Sequence, residues 1–368
     1  MNIRRVRLHI IEMPLKAPFS THLETVSKRK SIIVEAIDQS GASGFGEVVA
    51  FATPWYTEET VRTALHMLED ILIPLLLRSD ISHPEEISSL FHRVRRNEMA
   101  KAGLETAAWD LYAKLAGKPL WKLIGGVRNQ VLAGVVAGSQ SAESALRQIE
   151  QFVQQGYERV KIKISPAGDY ELLKTIRNRF PDLPLMADAN SAYTLRDIER
   201  LKALDEFGLL MIEQPLGVDD MVEHAVLQRE IRTPICLDES IATVHDAESA
   251  IRLKSCGAVN IKIGRVGGLW NACRIHDLCL KHGVSVWCGG MIEFGISKAH
   301  NIALASKSGF DIPGDIPGSA RYWDEDIIEP EIKVEKGRIA VPSEAGIGYS
   351  INWRRLAEVT EECRTIAL

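Results

Sequence analysis

The most constraining feature of this chain is a repeat of spacing, not of residues. From about residue 130, short apolar runs alternate with amphipathic segments. The runs are Val131–Ala137, Arg159–Ile164, Pro184–Ala187, Leu209–Ile212, Ile235–Leu237, Ala258–Ile263, Val284–Trp287 and a weaker one near Phe310–Ile312. They end near residues 137, 163, 188, 213, 238, 262, 288 and 312, a step of 24–26 residues. A strand of about 5 residues, a helix of about 10–12 and two short loops use that length. Eight such steps predict a closed parallel (β/α) barrel. A doubly wound sheet shows the same local pattern, but the constant step and the count favour the barrel.

The N-terminal third has a different texture. Ile3, Val6, Leu8 and Ile10 read as a strand, Ser31–Ala36 as a second, and Gly41–Gly44 as the turn into a third over Phe45–Phe51. Helical patterns follow at Glu58–Leu68 and Glu98–Leu115, the latter stopped by Gly117 and Pro119. Strands followed by helices read as an α+β unit. Trp109 and its neighbouring alanines are expected to pack this unit against the barrel.

Composition excludes several classes. Of 368 residues, 46% are hydrophobic and 25% charged, which suits a folded core rather than disorder. Net charge is −5 with no block of one sign, so no nucleic-acid or anionic-membrane surface is expected. The longest apolar stretch, Ile71–Leu77, is broken by Pro74 and falls far short of the ~20 residues of a membrane helix. The first fifteen residues alternate polar and apolar, unlike a signal peptide. The six cysteines form no C-x-x-C pair, and a cytoplasmic protein with reduced thiols is expected.

Function in such barrels sits at the C-terminal strand ends. Three consecutive stations end in carboxylates, Asp188, Glu213 and Asp238. Adjacent strands lie ~4.8 Å apart, so the three acids should converge on one small volume. Uncompensated, they would repel, and a divalent cation resolves this. An all-oxygen donor set selects a hard ion, Mg²⁺ first and Mn²⁺ next. Any one of these acids alone would read as a helix cap; three in register favour a metal.

Lysines end the second and sixth stations, Lys163 and Lys262, which are opposite in an eight-membered ring. Lys161 shares a strand face with Lys163. Two neighbouring ammonium groups should lower each other's pKa toward a general-base range. A metal-bound carboxylate substrate with an amine on either side of its α-carbon fits proton abstraction, enediolate stabilisation and then elimination or racemisation.

These residues resemble the enolase superfamily, muconate-lactonising branch, and within it the o-succinylbenzoate synthase/N-succinylamino acid racemase group. The resemblance is carried by VKIKI (160–164), MADANSAYTL (186–195), MIEQPL (211–216), ICLDES (235–240), NIKIGRVGG (260–268) and WCGGMIE (287–293). APF (17–19), PWYTEET (54–60), AHNIALAS (299–306) and RYWDEDI (321–327) extend it over nearly the whole chain. It implies a modified TIM barrel, (β/α)7β, over 126–319, with an α+β capping domain formed by 1–125 plus 320–368. It implies Asp188, Glu213 and Asp238 as Mg²⁺ ligands and Lys163 as the acid/base. Lys262 would stabilise the enediolate and act as second acid/base, while Lys161 tunes Lys163 and the bound carboxylate. Phe19 and Tyr56 would cover the substrate, Asn190 would contact it, and Gly290, Met291 and Ile292 would line its succinyl side. The implied reaction is syn dehydration to o-succinylbenzoate, for menaquinone synthesis, with or without N-succinylamino acid racemisation. A dedicated racemase, a dipeptide epimerase or a cycloisomerase is the alternative, and a homo-oligomer acting on a small carboxylate is implied.

Val136, where several relatives have a small polar residue, and Lys298, where many have arginine, bear on substrate preference. Arg265 reads equally as a racemisation residue or a salt-bridge residue. Gly264–Gly268 lacks phosphate-loop spacing and reads as a strand-to-helix turn. A catalytically dead scaffold would have lost a metal ligand or a lysine, and none is missing.

Overall fold

Long buried runs build the first sheet. Strand β1 (Ile3–Ser20) pairs antiparallel with β2 (Thr25–Asp38), and β2 with β3 (Ser43–Val48). The C-terminal strand Thr360–Ala367 adds to the other side of β1, reaching only to Ile11. Pro14, which has no N–H to donate, lies beyond that pairing. The helix Glu98–Leu115 forms over its expected span and packs on β3. Glycines permit the contact: a Cβ on Gly46 would stand 2.1 Å from the Gly103 carbonyl oxygen. The helix start is capped from outside, because the buried Glu59 carboxylate accepts the Met99 and Ala100 amides.

The computed structural model describes residues 1–21, 23–138 and 141–367. Strands β4 (Gln130–Leu132), β5 (Val135–Ala137), β6 (Val160–Lys163), β7 (Leu185–Asp188), β8 (Ile212–Glu213), β9 (Ile235–Leu237), β10 (Ala258–Ile261) and β11 (Ser285–Cys288) follow. β5 to β11 form one seven-stranded parallel sheet in sequence order, with a helix between each successive pair. It is a curled α/β barrel sheet beneath an N-terminal cap.

Two stations differ from their expected form. The first splits at Gly134: β4 leaves the barrel to pair with Arg338–Ala340, and only β5 joins the parallel sheet. A Cβ on Gly134 would lie 2.3 Å from the Arg159 guanidinium, which fills that side of the barrel interior. The eighth is not a strand over Phe310–Ile312. Phe310 stacks on His276 instead, and Pro313 has no amide to donate. Closure comes just after it. Gly134 donates to the Gly314 carbonyl, Gly314 to Leu132, and Asp315 to Cys288.

Gly267 (φ 81°) and Gly268 (φ 130°) take positive φ where β10 turns into the helix Leu269–Lys281. A side chain on Gly268 would strike Glu105, whose carboxylate caps that helix through the Leu269 and Trp270 amides and also takes the Trp109 indole N–H. Glu105 thus ties cap to barrel, while Trp109 bonds to it from the same helix and packs on His83 and Tyr112 within the cap. All six cysteines are free, five of them buried. Among the described residues no helix is long and apolar enough to cross a membrane.

Candidate active site

The parallel register lines up the strand ends. Lys163 pairs with Asp188, and Asp188 with Glu213, across β6, β7 and β8. Asp238 follows directly on β9. Lys262 follows β10, which three strands separate from β6. Lys163 Nζ donates to Asp188 Oδ2 at 2.8 Å and Asn190 Oδ1 at 2.5 Å. Lys262 Nζ donates to Asp238 Oδ2 and Tyr56 Oη, each at 2.8 Å. Both lysines line one cleft of about 780 Å³ including its open mouth.

The acids do not form a closed trio. Lys161 Nζ stands between two of them, 3.2 Å from Asp188 and 3.0 Å from Glu213, and Lys262 covers the third. Among the described residues no three His, Cys, Asp or Glu side chains are grouped closely enough to hold a metal ion. The expected convergence is therefore interleaved with ammonium groups, the nearest counter-charges. The donor chemistry still fits a hard cation. Burial and the neighbouring Asp188 push the Glu213 carboxyl up to about 8. Glu239 rises to about 7 through burial and Asp238, and its buried Oε2 has no hydrogen-bond partner. The unpartnered oxygen is on Glu239, beside the trio, while the oxygens of Asp188, Glu213 and Asp238 are those a divalent ion would take over from the ammonium groups.

Lys161 corrects one expectation. It was to be depressed by Lys163. Burial does oppose its charge, but Asp315, Glu213 and Asp188 outweigh burial and hold the ammonium above the ordinary lysine value. Its shortest partner is Asp315, at 2.6 Å. Lys262 is likewise raised against burial, by Asp238. Asp188 is held below the usual carboxylate range despite burial, by Lys163 and Lys161.

Phe19, Tyr56, Asn190, Gly290, Met291 and Ile292 all line the cleft. Phe19 arrives at the tip of the β1–β2 hairpin, and Tyr56 on the loop after β3. Of the three expected metal ligands only Asp188 reaches the cleft wall; Glu213 and Asp238 lie buried behind it. Val136 lines the cleft, whereas Lys298 is buried outside it, over the Tyr322 ring. Arg265 pairs with Asp238 and donates to the Ile241 and Asn260 carbonyls and to Tyr56 Oη.

Sequence reasoning missed Asp315, three residues past the expected end of the eighth station. A carboxylate following Pro313-Gly314 was the available signal. It also missed Trp55 and Tyr322, for which spacing offers none.

Comparison with known proteins agrees with this geometry. Residues 4–125 match the mandelate racemase/muconate lactonizing enzyme N-terminal domain, and residues 144–355 the enolase C-terminal domain-like family. An o-succinylbenzoate synthase from Geobacillus stearothermophilus is 54% identical over 98% of this chain and 96% of its own. An N-succinylamino acid racemase from Thermus thermophilus is 44% identical over 98% of each chain. The crystal structure of an enolase-superfamily member from Listeria innocua superposes with a TM-score of 0.98 at 44% identity, covering 100% of this chain and 99% of that one. Strand-end acids and lysines, cap and full-length similarity together place this chain in the enolase superfamily, as an enzyme of the mandelate racemase/muconate lactonizing family.

Proposed function

We propose that this protein is an o-succinylbenzoate synthase, dehydrating 2-succinyl-6-hydroxy-2,4-cyclohexadiene-1-carboxylate, and that the same site racemises N-succinylamino acids. The observation that carries the reading is the pair Lys163 and Lys262, lining one cleft with three strand-end acids on the arc between them. Full-length similarity to relatives of both names supports it.

Lys163, as the free amine, takes the α-proton from the ring carbon bearing the carboxylate, and the electron pair moves into the enediolate. Its ammonium then protonates the departing hydroxyl, which leaves as water from the same face. Lys163 is again an amine and the ring is aromatic. Lys262, held as an ammonium by Asp238, stabilises the developing negative charge. In racemisation it returns the proton to the opposite face. Lys161, also held charged, meets the substrate carboxylate. Phe19, Phe51 and Tyr56 roof the cleft and exclude water.

Enolase-superfamily sites in general use one or two Mg²⁺ ions; Asp188, Glu213 and Asp238 are the residues that would hold such an ion here, and it would supply electrostatic stabilisation of the enediolate. The reading assigns the chain to menaquinone synthesis in the cytoplasm, with the α+β cap (1–125 plus 320–368) supplying the roof. The test is an assay of o-succinylbenzoate formation beside α-deuterium exchange of N-succinylphenylalanine. Both activities are expected. Exchange without dehydration would leave a dedicated racemase, and neither would overturn the reading.

A further inference from the structure

Arg29 lies on β2, 1% exposed, at the junction of cap and barrel. Among the described residues its guanidinium makes no ion pair. Its hydrogen bonds all go to backbone carbonyls: Nε to Ile292 at 2.8 Å, Nη1 to Lys30 at 2.7 Å and Ala50 at 2.6 Å, and Nη2 to Val49 at 2.6 Å. Its Cζ stands 4.4 Å from the centroid of the Phe51 ring.

Those carbonyls lie on three separate segments, each of which carries residues of the cleft wall. Lys30 is on the hairpin whose tip delivers Phe19. Val49 and Ala50 lead into the loop carrying Phe51, Trp55 and Tyr56. Ile292 ends the Gly290–Ile292 loop after β11. Burying an arginine costs free energy unless its donors are used, and here the planar fork serves three directions at once. Burial lowers it to about 10, with Glu47 and Glu293 opposing, so it stays charged at neutral pH.

We infer that Arg29 is a positioning residue that joins the three walls of the substrate cleft into one rigid piece, and so sets how well the site discriminates between acyl groups. The choice of probe substrates rests on the function proposed above; the geometry does not.

The test uses the full chain, Arg29→Lys and Arg29→Met, with N-succinylphenylalanine and N-acetylphenylalanine as probes of α-proton exchange. Displaced walls should raise KM for the succinyl substrate about tenfold and lower the succinyl/acetyl ratio of kcat/KM by a similar factor, with kcat changed by about threefold or less. Lysine should not restore the ratio, because a single ammonium cannot span three carbonyls. An unchanged ratio, rescue by lysine, or a loss confined to the folded fraction overturns the inference. Hydrogen–deuterium exchange of the wild-type chain supplies a readout that needs neither a folded variant nor a substrate. Segments 26–31, 49–56 and 290–294 should open with one shared free energy, and independent openings overturn the inference. Wild-type protein inert toward both probes would count against the proposed function, while the exchange experiment would still decide the role of Arg29.

Discussion

At the barrel mouth, charged side chains face one another: Lys161 with Asp315 and Glu213, Lys163 with Asp188, Lys262 and Arg265 with Asp238. At the junction between the first sheet and the loop after β11, charged side chains face the backbone. Arg29 donates to four carbonyls, Glu47 accepts the Phe294 and Ser297 amides, and Asp326 accepts those of Gly295 and Ile327. Both clusters are buried. The first can pass its charges to a substrate or ion without moving the chain. The second cannot release a partner without moving a loop. Proton linkage separates the aspartates of the mouth from the glutamates of the junction, whereas Glu213 at the mouth is raised to about 8 as Glu47 is. The lysines hold Asp188 and Asp315 below the usual carboxylate range, although burial pushes the other way. Burial pushes Glu47 up to about 8 and Glu293 to about 7.

The largest expected effect tests the reuse of charge at the mouth. Lys163→Ala should lower α-proton exchange and dehydration by about 10³-fold or more while leaving the fold intact. Near-normal rates in both assays would break the assignment of the base. Asp238→Asn comes next. It should weaken Mg²⁺ binding, read by titration calorimetry, and turnover together, by at least ~10-fold to 100-fold. Unchanged magnesium affinity would remove Asp238 from the ligand set.

Asp315→Asn probes the same cluster without touching the acid trio. Removing one partner of a buried pair should cost about 3–5 kcal/mol at pH 7, measured by urea unfolding. The folded carboxyl lies below its unfolded value, so its contribution is present above about pH 4 and lost as pH falls; the gap to wild type should close in acid. Glu293→Gln should do the reverse and the least. With a folded value near 7 against 4.5, that group's contribution is complete below pH 4.5 and lost as pH rises through 7. The variant should flatten the slope of stability between those limits, an effect of about 3 kcal/mol across the range. A slope unchanged by Glu293→Gln, or a gap at Asp315 that persists in acid, would erase the contrast between the clusters.

Strand-end residues were legible because their signal is local. A step of 24–26 residues places Lys163, Asp188, Glu213, Asp238 and Lys262 in successive or opposed positions whatever the loops do. Partners outside that period were not. Asp315 lies where a proline breaks the strand pattern, and its pairing with Lys161 depends on how the barrel closes. Tyr322 and Trp55 reach the cleft from irregular backbone. Arg29 reads as one more basic residue in a lysine-rich strand until its three carbonyl walls are seen together.

Residue types and their spacing determined by themselves that this chain builds a parallel (β/α) repeat and places acids and lysines at one end of it, and its motifs carried the resemblance to enolase-type sites. Tertiary structure alone decided that ammonium groups interleave with the acids, that Lys161 is held charged, and that an arginine joins the walls of the cleft. Periodicity is written along the chain, whereas an ionisable group's charge state and partners depend on what distant segments bring within about 3 Å in a low-dielectric interior.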